Sequence, residues 1–517
     1  MKEFPIITAL TILPLIAGIV LCGFDSQQKR LARGLALSVS LVCLVLAGLL
    51  WKNFDAAFVG LQFVERRSWV PTLGVEYFVG VDGLGLLMVM LSAIVVPMAM
   101  LASWEVEDRV PIYFSLVLFL QAGLFGTFTA LNFFHWFIFW ELSLVPAFFL
   151  IKLWGGAGRH FAATQFFVYT MVGSVAMLLA FLALALATGT FDFIRLAGLA
   201  RTGELASAVA AKLHWLGLSG SQLSLMLFSG LLLGFAVKVP LMPFHTWLPS
   251  TYAEAPTGTT ILLTGAMSKM GLYGFLRILM PLFPEQMRMV LTPLLWLAVI
   301  TIIFSACAAC VQKDLKRVLA YSSINHLGYC LLGVFAAVKL TGAQPSWTTE
   351  KAAVLNGVLL QMFNHGLTAS AIFCFIAFLE RRSHGLRGLN DFSGLRKVAP
   401  VFCGLMGISL FASLGLPGLN GFVGEFLIFK GAFALAGWAT ALSAIGLLVT
   451  AIFLLTLLQR VFNGPLNERW SKFKDLSVAE RLIVLPATVL MFAIGIYPQM
   501  IIRVINTTVL KMVSQLN

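Results

Sequence analysis

The chain has 517 residues, of which 60% are hydrophobic and only 11% charged, with a formal net charge of +13 at pH 7. So sparse a charge complement on so long an apolar chain excludes a soluble globular enzyme and a nucleic-acid binder. It calls instead for an all-α polytopic membrane protein, a single helical bundle with no soluble domain. The positive excess is a topology signal. Lys and Arg gather in the loops after odd-numbered apolar segments, among them Lys29, Arg30, Lys313, Lys316, Arg317, Arg381 and Arg382, which puts that side in the cytoplasm and both termini outside.

A bilayer core needs about 20 apolar residues per helix. About fourteen segments meet that length, near 5–22, 32–51, 84–104, 111–130, 131–151, 164–187, 222–246, 257–280, 289–309, 315–337, 353–379, 398–430, 435–459 and 482–504. The first is expected to be a span and not a cleaved signal, because Glu3 offsets Lys2 and no small-x-small site follows Cys22. Asp82, in VDGLG, reads as a helix-start carboxylate. His135 lies near the end of its span, where it is expected to face the interface, and Glu141 follows among aromatic and aliphatic neighbours. Part of the polar stretch 188–221 suits an interfacial helix.

In 231–249, LLLGFAVKVPLMPFHTWLP, three prolines follow Lys238, and in 413–426, SLGLPGLNGFVGEF, a proline and several glycines precede Glu425. Proline removes a donor and clashes with the preceding turn, so the seventh and twelfth spans are expected to break near mid-membrane. His245, just after the first break, reads as a structural cap, and Glu254 as a cap for the helix that follows it. The two breaks lie five spans apart, and a five-span unit used twice has opposite topology each time. Two inverted five-helix repeats are therefore expected, 111–280 and 281–460, between N-terminal helices in 1–110 and a C-terminal loop and helix in 461–517.

Of the 22 acidic residues, only Glu141 and Glu425 fall inside an expected span, with Lys238 and Lys269 as their basic counterparts. A charge at the bilayer centre costs about 2.5–3.5 kcal/mol on insertion scales, so it persists only with a partner, water or a task. If Glu141 and Lys238 approach each other both regain charge, and separating them releases a proton: such a pair is a switch. Lys269, in ILLTGAMSKMGLYGF, His326, in SSINHLGYC, and His365, in QMFNHGLTAS, extend the series toward Glu425. Histidine passes a proton through its two nitrogens. Ser322, Ser323, Asn325, Tyr329, Asn364 and Thr368 are candidates to hold intervening waters. In chain order, Lys238, Lys269, His326, His365 and Glu425 read as one polar axis. The seven cysteines show no iron–sulfur or zinc spacing, and Cys307–Cys310 reads as small packing residues. The basic segment 380–397 reads as a solvated cytoplasmic face.

At these residues the chain resembles the antiporter-like membrane subunits of respiratory complex I, and within them the subunit M, or chain 4, branch. The motifs are FWELSLVPAFFLI, GFAVKVPLMPFHTWLPSTYAEAPT, the Lys269 segment, KDLKRVLAYSSINHLGY, MFNHGLTASAIF and LPGLNGFVGEFLIF. Related branches more often carry lysine where Glu425 stands, and the chain ends soon after its fourteenth segment, without the long lateral helix known for the distal subunit. The resemblance implies a proton-translocating, non-redox subunit of NADH:quinone oxidoreductase in a bacterial inner membrane, with periplasmic termini. Glu141 and Lys238 would be the coupling pair, Lys269, His326 and His365 the relay, and Glu425 the terminal site. With no Walker, Rossmann, flavin or cluster motif in this chain, NADH, FMN, iron–sulfur clusters and quinone are expected in partner subunits. Partners would be other membrane and peripheral subunits of complex I, including neighbouring antiporter-like subunits, and lipids. The same module also builds multisubunit Na+/H+ antiporters and membrane-bound hydrogenases.

Overall fold

The structure, a computed structural model, describes residues 4–214, 217–341 and 345–516. The apolar segments fold as α1 (Ile6–Cys22), α2 (Lys29–Lys52), α3 (Gly83–Ala102), α4 (Val110–Thr129), α5 (Phe133–Trp154) and α6 (Arg159–Thr188). The 188–221 stretch forms two short helices, α7 (Phe193–Thr202) and α8 (Glu204–Lys212). The seventh span is broken into α9 (Gly220–Lys238) and α10 (Trp247–Glu254). The eighth is α11 (Thr257–Leu262), α12 (Lys269–Gly274) and α13 (Met280–Leu282), joined by π-helical turns at Leu263–Met267 and Phe275–Leu279. After α14 (Pro284–Met289) come α15 (Leu291–Val311), α16 (Leu315–Ala337) and α17 (Pro345–Arg382). The twelfth span divides into α18 (Pro400–Leu414) and α19 (Asn420–Leu435), followed by α20 (Gly437–Phe462), α21 (Val478–Ile496) and α22 (Gln499–Ser514). Eleven of these helices are individually long and apolar enough to cross a membrane. The three other expected spans are the 17-residue α1, the π-interrupted eighth and the broken twelfth.

Two regions differ from the sequence reading. Residues 62–81 form an antiparallel hairpin of β1 (Gln62–Val70) and β2 (Val75–Val81), so the bundle carries one small sheet. Its turn needs Gly74, whose φ of 65° lies in the left-handed region. The last span is likewise two helices. Pro498 cannot extend α21, and the chain restarts as α22, whose one apolar face, Ile501, Ile505, Val509 and Met512, is buried.

Helices α3, α4, α16 and α17 are apolar and buried almost all round, as the centre of a bundle must be, whereas α2, α20 and α21 each leave one face exposed. The 38-residue α17 packs along α19, α16 and α3. Small residues permit that approach: a Cβ on Gly357 would stand 2.6 Å from the Ile428 amide nitrogen and 3.0 Å from the Gly424 carbonyl oxygen.

Asp82 does cap α3, accepting from Gly85 N at 3.1 Å, and it also holds a bidentate ion pair with Arg277 at 2.5 and 2.7 Å. That pair ties the start of α3 to the second π turn. Glu254 caps a different helix from the one expected: its carboxylate accepts Gly158 N at 2.8 Å, at the start of α6. His245 meets the Pro243 backbone within the break, while its Nδ1 is buried without a partner among the described residues and its ring meets Phe304. His135 is not at the interface, because the hairpin covers it, with Tyr77 at 4.9 Å and Trp69 at 6.3 Å between ring centroids. The basic segment 380–397 is a clamp more than a solvated face. Arg382 grips Glu480 at 2.5 and 2.7 Å, Arg387 meets Asp314 at 2.5 Å, and the buried Lys316 lies 3.3 Å from Glu380.

Replacing Arg277 alone by Leu should lower stability by about 3–5 kcal/mol, because Asp82 is left buried and uncompensated, while Arg277→Leu with Asp82→Leu should recover most of it. Melting in detergent micelles checks this; a double variant no better than the single one contradicts it. Gly357→Ala should cost about 1–3 kcal/mol through forced separation of α17 and α19. Gly34→Ala, where an added Cβ meets nothing within 4 Å, should be neutral in the same assay.

Candidate functional site

Helix α9 approaches α6 at a pair of glycines, a Cβ on Gly234 standing 2.9 Å from the Gly173 carbonyl. One turn later comes Lys238, the last residue of α9 and 3% exposed. A helix C-terminus presents unpaired carbonyls and a partial negative charge, which suits an ammonium group. Lys238 Nζ lies 5.1 Å from the centroid of the Trp140 ring, a cation–π distance, and makes no hydrogen bond among the described residues. Trp140 is fixed in turn by donating to Ser174 at 3.0 Å. Glu141, the next residue, has a buried Oε1 that also lacks a partner. The two charges interact electrostatically without a hydrogen bond between them, so the pair is open.

Lys269 is fully buried at the start of α12. The π turn before it shifts the backbone pairing and turns the Thr264 carbonyl toward the ammonium, which donates to it at 2.5 Å and to Ser268 Oγ at 3.2 Å. The third neighbour of Nζ is His365 Nδ1 at 2.8 Å. This contact rests on glycines as well: a Cβ on Gly366 would stand 2.5 Å from the Gly265 carbonyl. The His365 ring lies 5.3 Å from that of His326. His326 places Nδ1 3.0 Å from Glu425 Oε1 and Nε2 3.0 Å from Ser413 Oγ. Gln361 donates to the same Glu425 oxygen at 3.1 Å.

The order in space is therefore Lys269, His365, His326, Glu425, with the histidines exchanged relative to the chain order. A cavity of about 10 Å³ between the histidines, bordered by Gln361, Asn364, Thr368 and Ser413, has the room of one water. The free Oε1 of Gln361 and Oδ1 of Asn364 are acceptors for it. Glu425 sits in the second turn of α19, near the partly positive N-terminal end of that half-helix.

From Lys269 a column of buried hydroxyls follows α11 toward the basic loops. Thr264 Oγ1 is 3.0 Å from Ser323 Oγ, and the Tyr252 hydroxyl lies near Thr264 and Ser268, buried and without a hydrogen bond among the described residues. Beyond the buried Thr260, Thr257 hydrogen-bonds Glu380 at the end of the bundle. Between Lys238 and Lys269 no hydrogen bond runs among the described residues, although α9 and α12 touch where Gly271 meets the Phe235 carbonyl.

All six sequence candidates are thus placed in two groups, the open pair Glu141 and Lys238 and the contiguous series of Lys269, His365, His326 and Glu425. Ser323, Asn364 and Thr368 belong to the second group's surroundings, Asn364 and Thr368 by binding Asn420 at the start of α19. Asn325 and Tyr329 turn instead toward Thr450 on α20. The sequence reading missed Trp140, Thr264, Ser268, Gln361 and Ser413. Gln361 was within reach of it, lying one turn before His365 on the same face of α17.

The family model described as NADH:quinone oxidoreductase/Mrp antiporter, TM, matches residues 130–453, which include all six candidates. The chain is 34% identical, over 98% of its own length and 96% of the relative's, to NADH-quinone oxidoreductase subunit M of Rhodobacter capsulatus. It is 35% identical, over 96% of its length and 95% of the relative's, to F(420)H(2) dehydrogenase subunit M of Methanosarcina mazei. Among solved structures, a chain of respiratory complex I from Thermus thermophilus with bound NADH superposes with a TM-score of 0.83 at 28% identity, covering 99% of this chain and 100% of that one. With a buried charge series of this kind and relatives aligned nearly end to end, the chain belongs to the NADH:quinone oxidoreductase/Mrp antiporter family of multi-pass membrane proteins.

Proposed function

We propose that the chain is a proton-translocating, non-redox membrane subunit of NADH:quinone oxidoreductase in a bacterial inner membrane, with periplasmic termini. The observation that carries this is the series from the Lys269 ammonium through two histidines, separated by one water-sized cavity, to Glu425, buried at the centre of the bundle. In that series a proton leaves Lys269 Nζ for His365 Nδ1, passes from His365 across the water-sized cavity to His326, and moves from His326 Nδ1 to Glu425 Oε1. The Thr264 carbonyl and Ser268 hydroxyl stabilise the charged form of Lys269 before the transfer. The hydroxyl column from Glu380 to Ser268 is the route by which Lys269 is reprotonated.

The Glu141–Lys238 pair is the control. Closing it stabilises the ammonium of Lys238; opening it leaves that ammonium facing only Trp140 and the end of α9, beside the helix that carries Lys269. Matching breaks at α9/α10 and α18/α19 support two inverted repeats over 111–280 and 281–460. Relatives named for different electron donors, NADH and F(420)H(2), share this subunit type. That supports redox chemistry, with NADH, FMN, iron–sulfur clusters and quinone, residing in partner subunits, neighbouring antiporter-like subunits among them.

In the assembled complex, Lys269→Ala should slow proton transfer through this subunit by about a hundredfold, the usual scale for loss of a positioned proton carrier. Quinone reduction measured with an uncoupler should persist; unchanged proton release per electron in inverted vesicles would refute the relay. Glu141→Gln and Lys238→Ala should each lower that ratio, and normal ratios in both variants would remove the pair from the mechanism.

A further inference from the structure

The cavity farthest from the relay in chemistry lies at the opposite end of the eighth span from the Glu380 clamp. It has a volume of about 160 Å³, and its floor is the Asp82–Arg277 ion pair. One wall is the face of α7 that carries Phe193, Ile194, Ala197 and Arg201; the facing wall is the face of α22 that carries Thr508, Lys511 and Gln515. Both spacings are helical, so each helix turns a single stripe into the cavity.

The charges do not balance. Among the described residues, Asp82 is the only acid bordering the cavity, and it already accepts two bonds from Arg277 and one from Gly85. Arg201 and Lys511 are exposed at the rim and have no ion-pair partner among the described residues. Lys511 shares the field of Asp82, but one carboxylate faces three cations, so the opening keeps a net positive excess. Thr508 accepts the Gly83 amide at 2.9 Å, which leaves its hydroxyl proton free to donate.

The position is that of a membrane boundary. Helix α3 enters the bundle at Gly83, α13 leaves it at Leu282, and α7 and α22 lie beside these ends with one apolar face buried. Next to the cations, Ile194 is 48% and Leu510 46% exposed, an apolar surface suited to hydrocarbon and costly in water. A phosphate flanked by acyl chains satisfies both halves of this surface, and basic pockets at such boundaries favour anionic headgroups.

We infer that this cavity is a binding site for an anionic phospholipid, with the headgroup phosphate held between Arg201, Lys511 and the Thr508 hydroxyl. The chains run down past Ile194 and Leu510. The site is independent of the translocation reading, because its readout is bound lipid and not protons.

The test is native mass spectrometry of the full chain in its assembly, released from nanodiscs of phosphatidylcholine and phosphatidylglycerol in equal parts. Wild type should retain phosphatidylglycerol selectively. Arg201→Gln with Lys511→Gln should lose that preference roughly thirtyfold, at about 1 kcal/mol per basic side chain, and Arg201→Lys should keep it. Equal retention in wild type and double variant would overturn the site. A second arm adds inorganic phosphate in place of phosphatidylglycerol; phosphate binding that the double variant abolishes, without lipid retention, would overturn the lipid as its source. If the double variant does not assemble, the single Gln variants must each show a partial loss, and no loss in either is the refuting result.

Discussion

An ammonium group at the centre of an apolar bundle has to be solvated by the protein itself, and most of the architecture around Lys269 follows from that need. Water would supply several hydrogen bonds; the fold supplies a backbone carbonyl, a hydroxyl and an imidazole nitrogen. An ordinary α-helix has no carbonyl to spare, since each one is committed four residues on. The π turn at Leu263–Met267 makes one available. The local irregularity of the eighth span and the burial of its lysine are thus one feature, and the glycine contact between Gly366 and Gly265 brings the imidazole within reach.

The two broken helices solve the same problem with opposite sign. Lys238 ends α9, at the partly negative pole of that half-helix, and Glu425 lies near the start of α19, at a partly positive pole. A continuous helix would have offered neither charge any backbone compensation. Irregular backbone at membrane depth is costly unless protein or water covers it, and here it coincides with the ionisable groups that benefit from it.

Fold class, helix positions and the burial of the six candidate residues were legible in the sequence because apolar length, proline and buried charge act locally. What escaped were features set by partners far along the chain. The β1–β2 hairpin is a pair of half-polar strands whose burial depends on α5, so its pattern looks like a loop until His135 is placed beneath it. Glu254 was read as capping its neighbour, yet it caps α6, nearly a hundred residues earlier, at Gly158. The exchange of His326 and His365 has the same origin, since α17 lies between α12 and α16 in space and not in order. Gln361 and Ser413 became site residues only through helix crossings that periodicity does not specify.

The two halves of the site differ in how firmly they are held, and this bears on where a proposed pump would move. Around the relay, α17 is locked to α19 at Gly357 and Gly424 and to the π turn at Gly366, contacts too close to open without separating whole helices. Lys269 Nζ, His365 Nδ1, both ring nitrogens of His326 and Glu425 Oε1 are all hydrogen-bonded. Lys238 by contrast stands at a chain break with no hydrogen bond to lose, and the carboxylate of Glu141 has an acceptor unused. Displacing Lys238 therefore breaks only its cation–π contact and long-range attraction, while displacing Lys269 forfeits three short bonds. On the proposed function, the moving charge is at Glu141 and Lys238, and Lys269 responds to the change in field while its neighbours stay in place.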